Sequence, residues 1–190
     1  LRFALVGSVA SAGMFAYIAG SPFVYIERFG VSPSTFAWIF GVNALGFVTA
    51  SQVNRYWLAR QTPPQILRAV QPVQFVAGLG LLLAAWRNIG GLPLMLVLNF
   101  IFVATIGFIL PNTTALALAP FRRRAGAASA LLGSLGSVIA TLAAAAVSVL
   151  HNGTTVPMTV VMAACGLIAL LLLRGTPRHA SLLVEAQAAD

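Results

Sequence analysis

The sequence predicts an all-α membrane protein built as a bundle of six transmembrane helices, and three observations predict it. Charged residues make up 7% of the 190-residue chain and hydrophobic residues 59%, with a mean hydropathy of +0.95. A soluble domain carries about 25% charged residues, so this chain lacks the charge to cover a water-facing surface. Its polar residues gather between apolar runs of roughly 20 residues, the length a helix needs to cross a hydrocarbon core of about 30 Å. Third, the net charge of +8 comes wholly from arginine, and the arginines stand at the ends of the apolar runs. A pI of about 11.6 on its own would suggest a nucleic-acid partner. With no basic face along any run, the positions argue for no nucleic acid and for membrane boundaries.

The first span is expected over about 3–25, where Ala4, Ser8, Ala12, Ala16 and Gly20 recur every four residues. Such a stripe lets helices approach closely in lipid, where packing replaces the hydrophobic drive. Pro22 removes a donor and crowds the carbonyl of Ile18, so a kink is expected there. A polar loop holding Glu27 and Arg28 follows. The second span is expected over about 35–53 with Ser34 as its N-cap, and Asn43, Phe47, Ala50 and Asn54 fall on one face. The third is expected over about 67–86, with Gln71, Pro72 and Gln74 in its first turns and a tight turn from Arg87 to Gly91.

The fourth span, about 92–119, is longer than a bilayer core requires. It contains Gly107, Phe108, Pro111 and Asn112 and ends at Pro120 and the cluster Arg122, Arg123, Arg124. The fifth, about 125–150, carries the strongest packing signal, a second four-residue stripe of Ala125, Ser129, Gly133, Ser137, Thr141 and Ala145. The sixth is expected over about 156–173. Residues 1–174 thus form one six-helix domain, and 175–190 read as a disordered tail. No signal peptide is visible, and a start at Leu1 predicts a processed or partial chain. The single cysteine, Cys165, lies in an apolar run and reads as a small core residue.

Six spans place both termini on one side. Counting loops alternately, that side holds nine arginines (Arg2, Arg55, Arg60, Arg68, Arg122, Arg123, Arg124, Arg174, Arg178) and the other holds two, Arg28 and Arg87. Positive charge marks the cytoplasmic side, so both termini are expected in the cytoplasm.

No constellation for enzyme chemistry is present, neither metalloprotease, nucleophile-elbow, Walker nor dinucleotide pattern, and no cofactor is called for. The three acids, Glu27, Glu185 and Asp190, fall in a loop and the tail, so no span offers a carboxylate for proton relay. Within the spans, Ser21, Asn43, Gln71, Gln74, Asn99, Thr105 and Asn112 remain. Each reads either as a helix-to-helix hydrogen bond or as a contact in a mid-membrane cavity. Pro22 near one face and Pro111 near the other, with Gly107 one turn before it, read as packing kinks or as hinges at opposite depths.

Several stretches resemble the drug transporters of the bicyclomycin-resistance (Bcr/CflA) type within the major facilitator superfamily. They are Ser21-Pro22-Phe23-Val24-Tyr25-Ile26, Phe40-Gly41-Val42-Asn43-Ala44, Ala50-Ser51-Gln52-Val53-Asn54, Leu110-Pro111-Asn112-Thr113-Thr114-Ala115-Leu116-Ala117 and the run Ala125 to Gly133. The resemblance covers nearly the whole chain and corresponds to the C-terminal half of a twelve-span transporter. It implies one half of a major facilitator fold, working by alternating access in the bacterial inner membrane as a drug:proton antiporter. The implied partners are a drug-like small molecule, protons, the lipid bilayer, and the missing N-terminal six-helix half or a second copy of this one. Asn54 stands where the superfamily's loop motif favours Asp, which argues against a charge relay there. On this reading Tyr17, Asn43, Phe108 and Asn112 face the substrate cavity, Pro22, Gly107 and Pro111 act as hinges, and Ser129, Gly133 and Ser137 pack helices across the halves. Two other readings stay open, an uptake carrier for a small metabolite on the same fold and a membrane scaffold subunit that transports nothing.

Overall fold

A computed structural model describes residues 2–175, with only the backbone described for Arg122. Beyond Gly175, the expected tail and its Arg178, His179, Glu185 and Asp190 lie outside the described residues. Six long helices follow one another: α1 (Arg2–Pro22), α2 (Pro33–Trp57), α3 (Pro63–Arg87), α4 (Gly91–Leu118), α5 (Ala125–Val149) and α6 (Val156–Arg174). Among the described residues these are the six segments long and apolar enough to cross a membrane, with window hydropathies from 1.4 to 2.5. A further 3-10 segment, Ala119–Arg124, joins α4 to α5, and Pro120 at its start ends the α-helical ladder.

The helix starts depart from expectation for reasons of proline chemistry. Proline suits the first helical position, where its missing N–H would have had no partner. So α2 begins at Pro33, and its cap is Ser32 rather than Ser34: the Thr35 N–H donates to Ser32 Oγ at 3.2 Å. Likewise α3 begins at Pro63, four residues before the expected Leu67, and the Thr62 N–H donates to Gln65 Oε1 at 2.9 Å. Replacing Ser32 with Ala is expected to cost about 0.5–2 kcal/mol, read as a lower thermal midpoint that Ser34→Ala does not reproduce. Glu27 also moves. It sits in a π-helical turn, Phe23–Arg28, that carries α1 past Pro22, and not in a loop. Its side chain is exposed at the end of that span.

Packing arranges the helices in two layers. α1 is central, in contact with α4, α5 and α6, while α4 touches α1, α2 and α3, and α3 meets α6. The front layer therefore runs α2–α4–α1–α5, and α3 and α6 form the back. The stripe Ala4, Ser8, Ala12, Ala16, Gly20 is buried along its whole length. Gly20 shows what it does: a Cβ there would stand 2.8 Å from Met158 Cγ of α6, so α1 approaches closely because the side chain is absent. Cys165 is buried against Ala12 and Ala143, as a core residue.

The aromatic residues mark the two ends. Trp38 and Trp86 are exposed near one end and Tyr56 near the other, the placement favoured at membrane–water interfaces. The Arg2 guanidinium donates to the Gly175 carbonyl, which joins the first and last helices at one end of the bundle. That end also receives Arg55, Arg60, Arg68 and Arg124, at the close of α2, the start of α3 and the α4–α5 connection.

Candidate functional site

Pro111 has no N–H to give the Gly107 carbonyl, yet α4 continues unbroken to Leu118. The side chains that follow supply donors to the carbonyls around the break. Asn112 Nδ2 donates to the Phe108 carbonyl at 2.7 Å, and Thr113 Oγ1 lies 2.8 Å from the Ile109 carbonyl and 3.1 Å from that of Leu110. Polar side chains of this kind are what allow proline inside a membrane helix. At Gly107, α4 comes close to the backbone of α2. A Cβ there would overlap the Phe47 carbonyl oxygen and lie 2.9 Å from the Ala50 Cβ.

Two polar clasps hold α2 to the rest of the front layer. Toward the arginine-rich end, Asn112 Nδ2 donates to Asn54 Oδ1 at 2.7 Å, both residues being buried, and the Phe108 and Trp57 rings meet at 5.0 Å between centroids. Toward the other end, Asn43 Nδ2 donates to the Tyr17 hydroxyl at 3.0 Å and to the Ile39 carbonyl at 3.1 Å, and Tyr17 stacks on Phe40. A third link lies at the back, where Gln71 Nε2 donates to Gln74 Oε1 at 2.8 Å and Gln74 Nε2 to the Ala10 carbonyl at 3.3 Å. The Asn54–Asn112 pair is expected to show a coupling of about 0.6 kcal/mol, and at most about 1.7, in a double-mutant cycle of Asn54→Ala and Asn112→Ala scored by unfolding in mild detergent.

The open space lies elsewhere in the front layer. A groove of about 470 Å³ runs between α1, α4 and α5, bordered by Met14, Phe15, Thr114, Ser129, Gly133 and Ser137. An apolar hollow of about 300 Å³, which includes Phe121, Leu131 and Arg124 in its lining, continues it toward the arginine-rich end. Of the residues singled out in the sequence, Tyr17, Asn43 and Asn112 are thus brought into buried helix–helix pairs, and Phe108 is half-buried beside Trp57. Pro22 and Pro111 lie on exposed helix surfaces, while Gly107 is buried at the α2 contact. Ser129, Gly133 and Ser137 are exposed along the groove, because α5 packs on the bundle through another face, with Ala140, Ala143 and Val147 buried. Sequence reasoning passed over Met14, Phe15 and Thr114. Ser11 and Phe15 stand one turn apart on the face of α1 beside the buried small stripe, and that was the signal available.

The chain is 33% identical over 162 residues to an uncharacterised MFS-type transporter of Bacillus subtilis, YdgK, covering 85% of this chain and 40% of that protein. It is 29% identical over 171 residues to a bicyclomycin resistance protein homolog of Haemophilus influenzae, covering 90% of this chain and 43% of the relative. Six apolar helices stand beside that coverage. The chain fits one half of a major facilitator fold. It resembles the bicyclomycin-resistance type in particular, as its motifs suggest. No family model matches the chain, and no solved structure does. The chain spans less than half the length of the relatives it matches, and its front layer of α2, α4, α1 and α5 is the side with the groove.

Proposed function

We propose that the chain is the C-terminal half of a proton-coupled multidrug exporter, a drug:proton antiporter of the bacterial inner membrane with both termini cytoplasmic. The observation that carries this reading is the open front layer. A groove of about 470 Å³ with polar and aromatic borders faces away from the back pair, in a chain that matches two-fifths of a transporter's length. On this reading the N-terminal half, or a second copy of this one, closes the groove, and the two walls rock to expose it alternately to each side. The substrate is an uncharged or weakly charged drug-like molecule, of which bicyclomycin is the first to try given the name of one relative. Tyr17, Asn43, Phe108 and Asn112 would offer contacts when the clasps open, with Pro22, Gly107 and Pro111 as the hinges. The coupling carboxylate would come from the partner half, since the acid in the described residues, Glu27, is exposed at the end of a span.

The test is flux in everted membrane vesicles carrying the intact gene product. Accumulation of bicyclomycin or chloramphenicol driven by internal acid, and lost on adding an uncoupler, is the expected result. Uptake of a labelled sugar with no drug flux would assign a metabolite carrier. Proton-driven flux from the 190-residue chain alone, without a partner half, would overturn the account of coupling. Pro111→Ala with unchanged substrate affinity and turnover would remove the hinge role.

A further inference from the structure

Tyr17, Ser21 and Tyr25 recur every four residues along α1 and its π-helical extension, and all three are buried, Ser21 and Tyr25 completely. Asn43 of α2 and Asn99 of α4 are buried too, with Asn99 fully enclosed. Ser21, Asn43 and Asn99 gather around the Tyr17 hydroxyl. Asn43 bonds to it at 3.0 Å, Ser21 and Asn99 lie beside it without reaching hydrogen-bond geometry, and Tyr25 follows one turn beyond Ser21. Yet Ser21 Oγ, the Tyr25 hydroxyl, Asn43 Oδ1 and both ends of the Asn99 amide have no hydrogen-bond partner in the protein. One orphaned polar group inside a protein costs about 1–3 kcal/mol. Five in one buried junction form an arrangement that needs a further component.

We propose that this junction between α1, α2 and α4 is a binding site for ordered water. The donor and acceptor balance selects water over other occupants. The unpartnered set combines oxygens that accept (Asn43 Oδ1, Asn99 Oδ1), hydroxyls that do either (Ser21, Tyr25) and an amide that donates (Asn99 Nδ2). A cation would satisfy the oxygens but is repelled by the amide N–H, and no carboxylate is among the five. An apolar molecule would satisfy none. Water accepts and donates at once and bonds two to four groups in a buried polar site. The consequence is mechanical. Helices joined through water can exchange partners without exposing an orphaned group, so the end of α1 beyond Pro22 is free to shift against α2 and α4 at low cost. This inference is independent of what the protein transports.

Radiolytic hydroxyl footprinting of the intact protein in lipid nanodiscs tests it, because radicals formed from a bound water label the side chains touching that water. Tyr17 and Tyr25 are expected to be labelled severalfold more than the equally buried ring of Phe102, and to approach the exposed Tyr56. Labelling of both tyrosines at the Phe102 level would overturn the proposal. Asn99→Leu, which fills the junction with apolar volume, is expected to cut labelling at both tyrosines severalfold. Undiminished labelling in that variant would remove Asn99 from the site and overturn the junction as drawn. If the variant does not fold, the wild-type comparison decides alone.

Discussion

Gly107→Leu is expected to prevent stable assembly of the bundle, giving a chain that inserts but unfolds in mild detergent well below the wild-type temperature. The cause is local and geometric. Helices α2 and α4 meet backbone to backbone at this position, and a Cβ on Gly107 would overlap the Phe47 carbonyl oxygen and crowd the Ser51 nitrogen at 3.0 Å. These obstacles belong to the main chain of a helix, which cannot rotate aside as a side chain can. Overpacking a well-fitted interior costs about 1–3 kcal/mol where side chains can yield, so a clash with backbone should exceed that range. Separating α2 from α4 would also stretch the Asn54–Asn112 bond of 2.7 Å and part the Trp57 and Phe108 rings. Even Gly107→Ala should therefore lower the thermal midpoint, by less than leucine does. A graded loss from Gly to Ala to Leu in a fluorescence-detected size-exclusion melt is the expected pattern. A midpoint unchanged in Gly107→Leu would show that α2 does not lie against α4 here.

The number of helices and their order were legible in the sequence because lipid demands a minimum apolar length of every span and expels charge from it. The stripe on α1 was legible for a related reason: Ala4, Ser8, Ala12, Ala16 and Gly20 are small, and small residues in lipid mark close approach. The same rule could not say what the stripe on α5 approaches. Ser129, Gly133 and Ser137 border an open groove, and α5 reaches the bundle through Ala140, Ala143 and Val147. In water, polarity would have separated those two faces, but lipid tails and a protein core are equally apolar, so periodicity in a membrane helix names no inward side. The partners of the polar residues were hidden as well. Asn43, Asn99 and Asn112 could each be seen as costly inside a membrane and Asn54 only as the end of a helix face, whereas the pairing of Asn54 with Asn112 and of Asn43 with Tyr17 depends on which helices are neighbours. Local starts failed where two rules competed, as when Pro33 took the first helical position and left the cap to Ser32 instead of Ser34.

The stripe on α5 also gives the sharpest contrast with Gly107. Gly133→Leu is expected to leave the melting temperature of this half unchanged, since a Cβ at Gly133 meets nothing within 4 Å. Ser129 and Ser137, one turn away on either side, are exposed as well. In the intact transporter the same substitution is expected to cut drug flux at least about tenfold, equivalent to about 1.4 kcal/mol on the rate-limiting step. Two causes would act together on the proposed function. Leucine would occupy part of the groove between α1, α4 and α5, and it would hold apart any helix of the opposite half that uses the small stripe for close approach. Ala at the same position adds one methyl group, and its effect should be slight, so flux should fall with side-chain volume while stability stays level. That separation of flux from stability is what a working surface produces and a packing defect does not. Full transport by Gly133→Leu would place this face of α5 against lipid, and the groove would lose its standing as the wall of a substrate cavity.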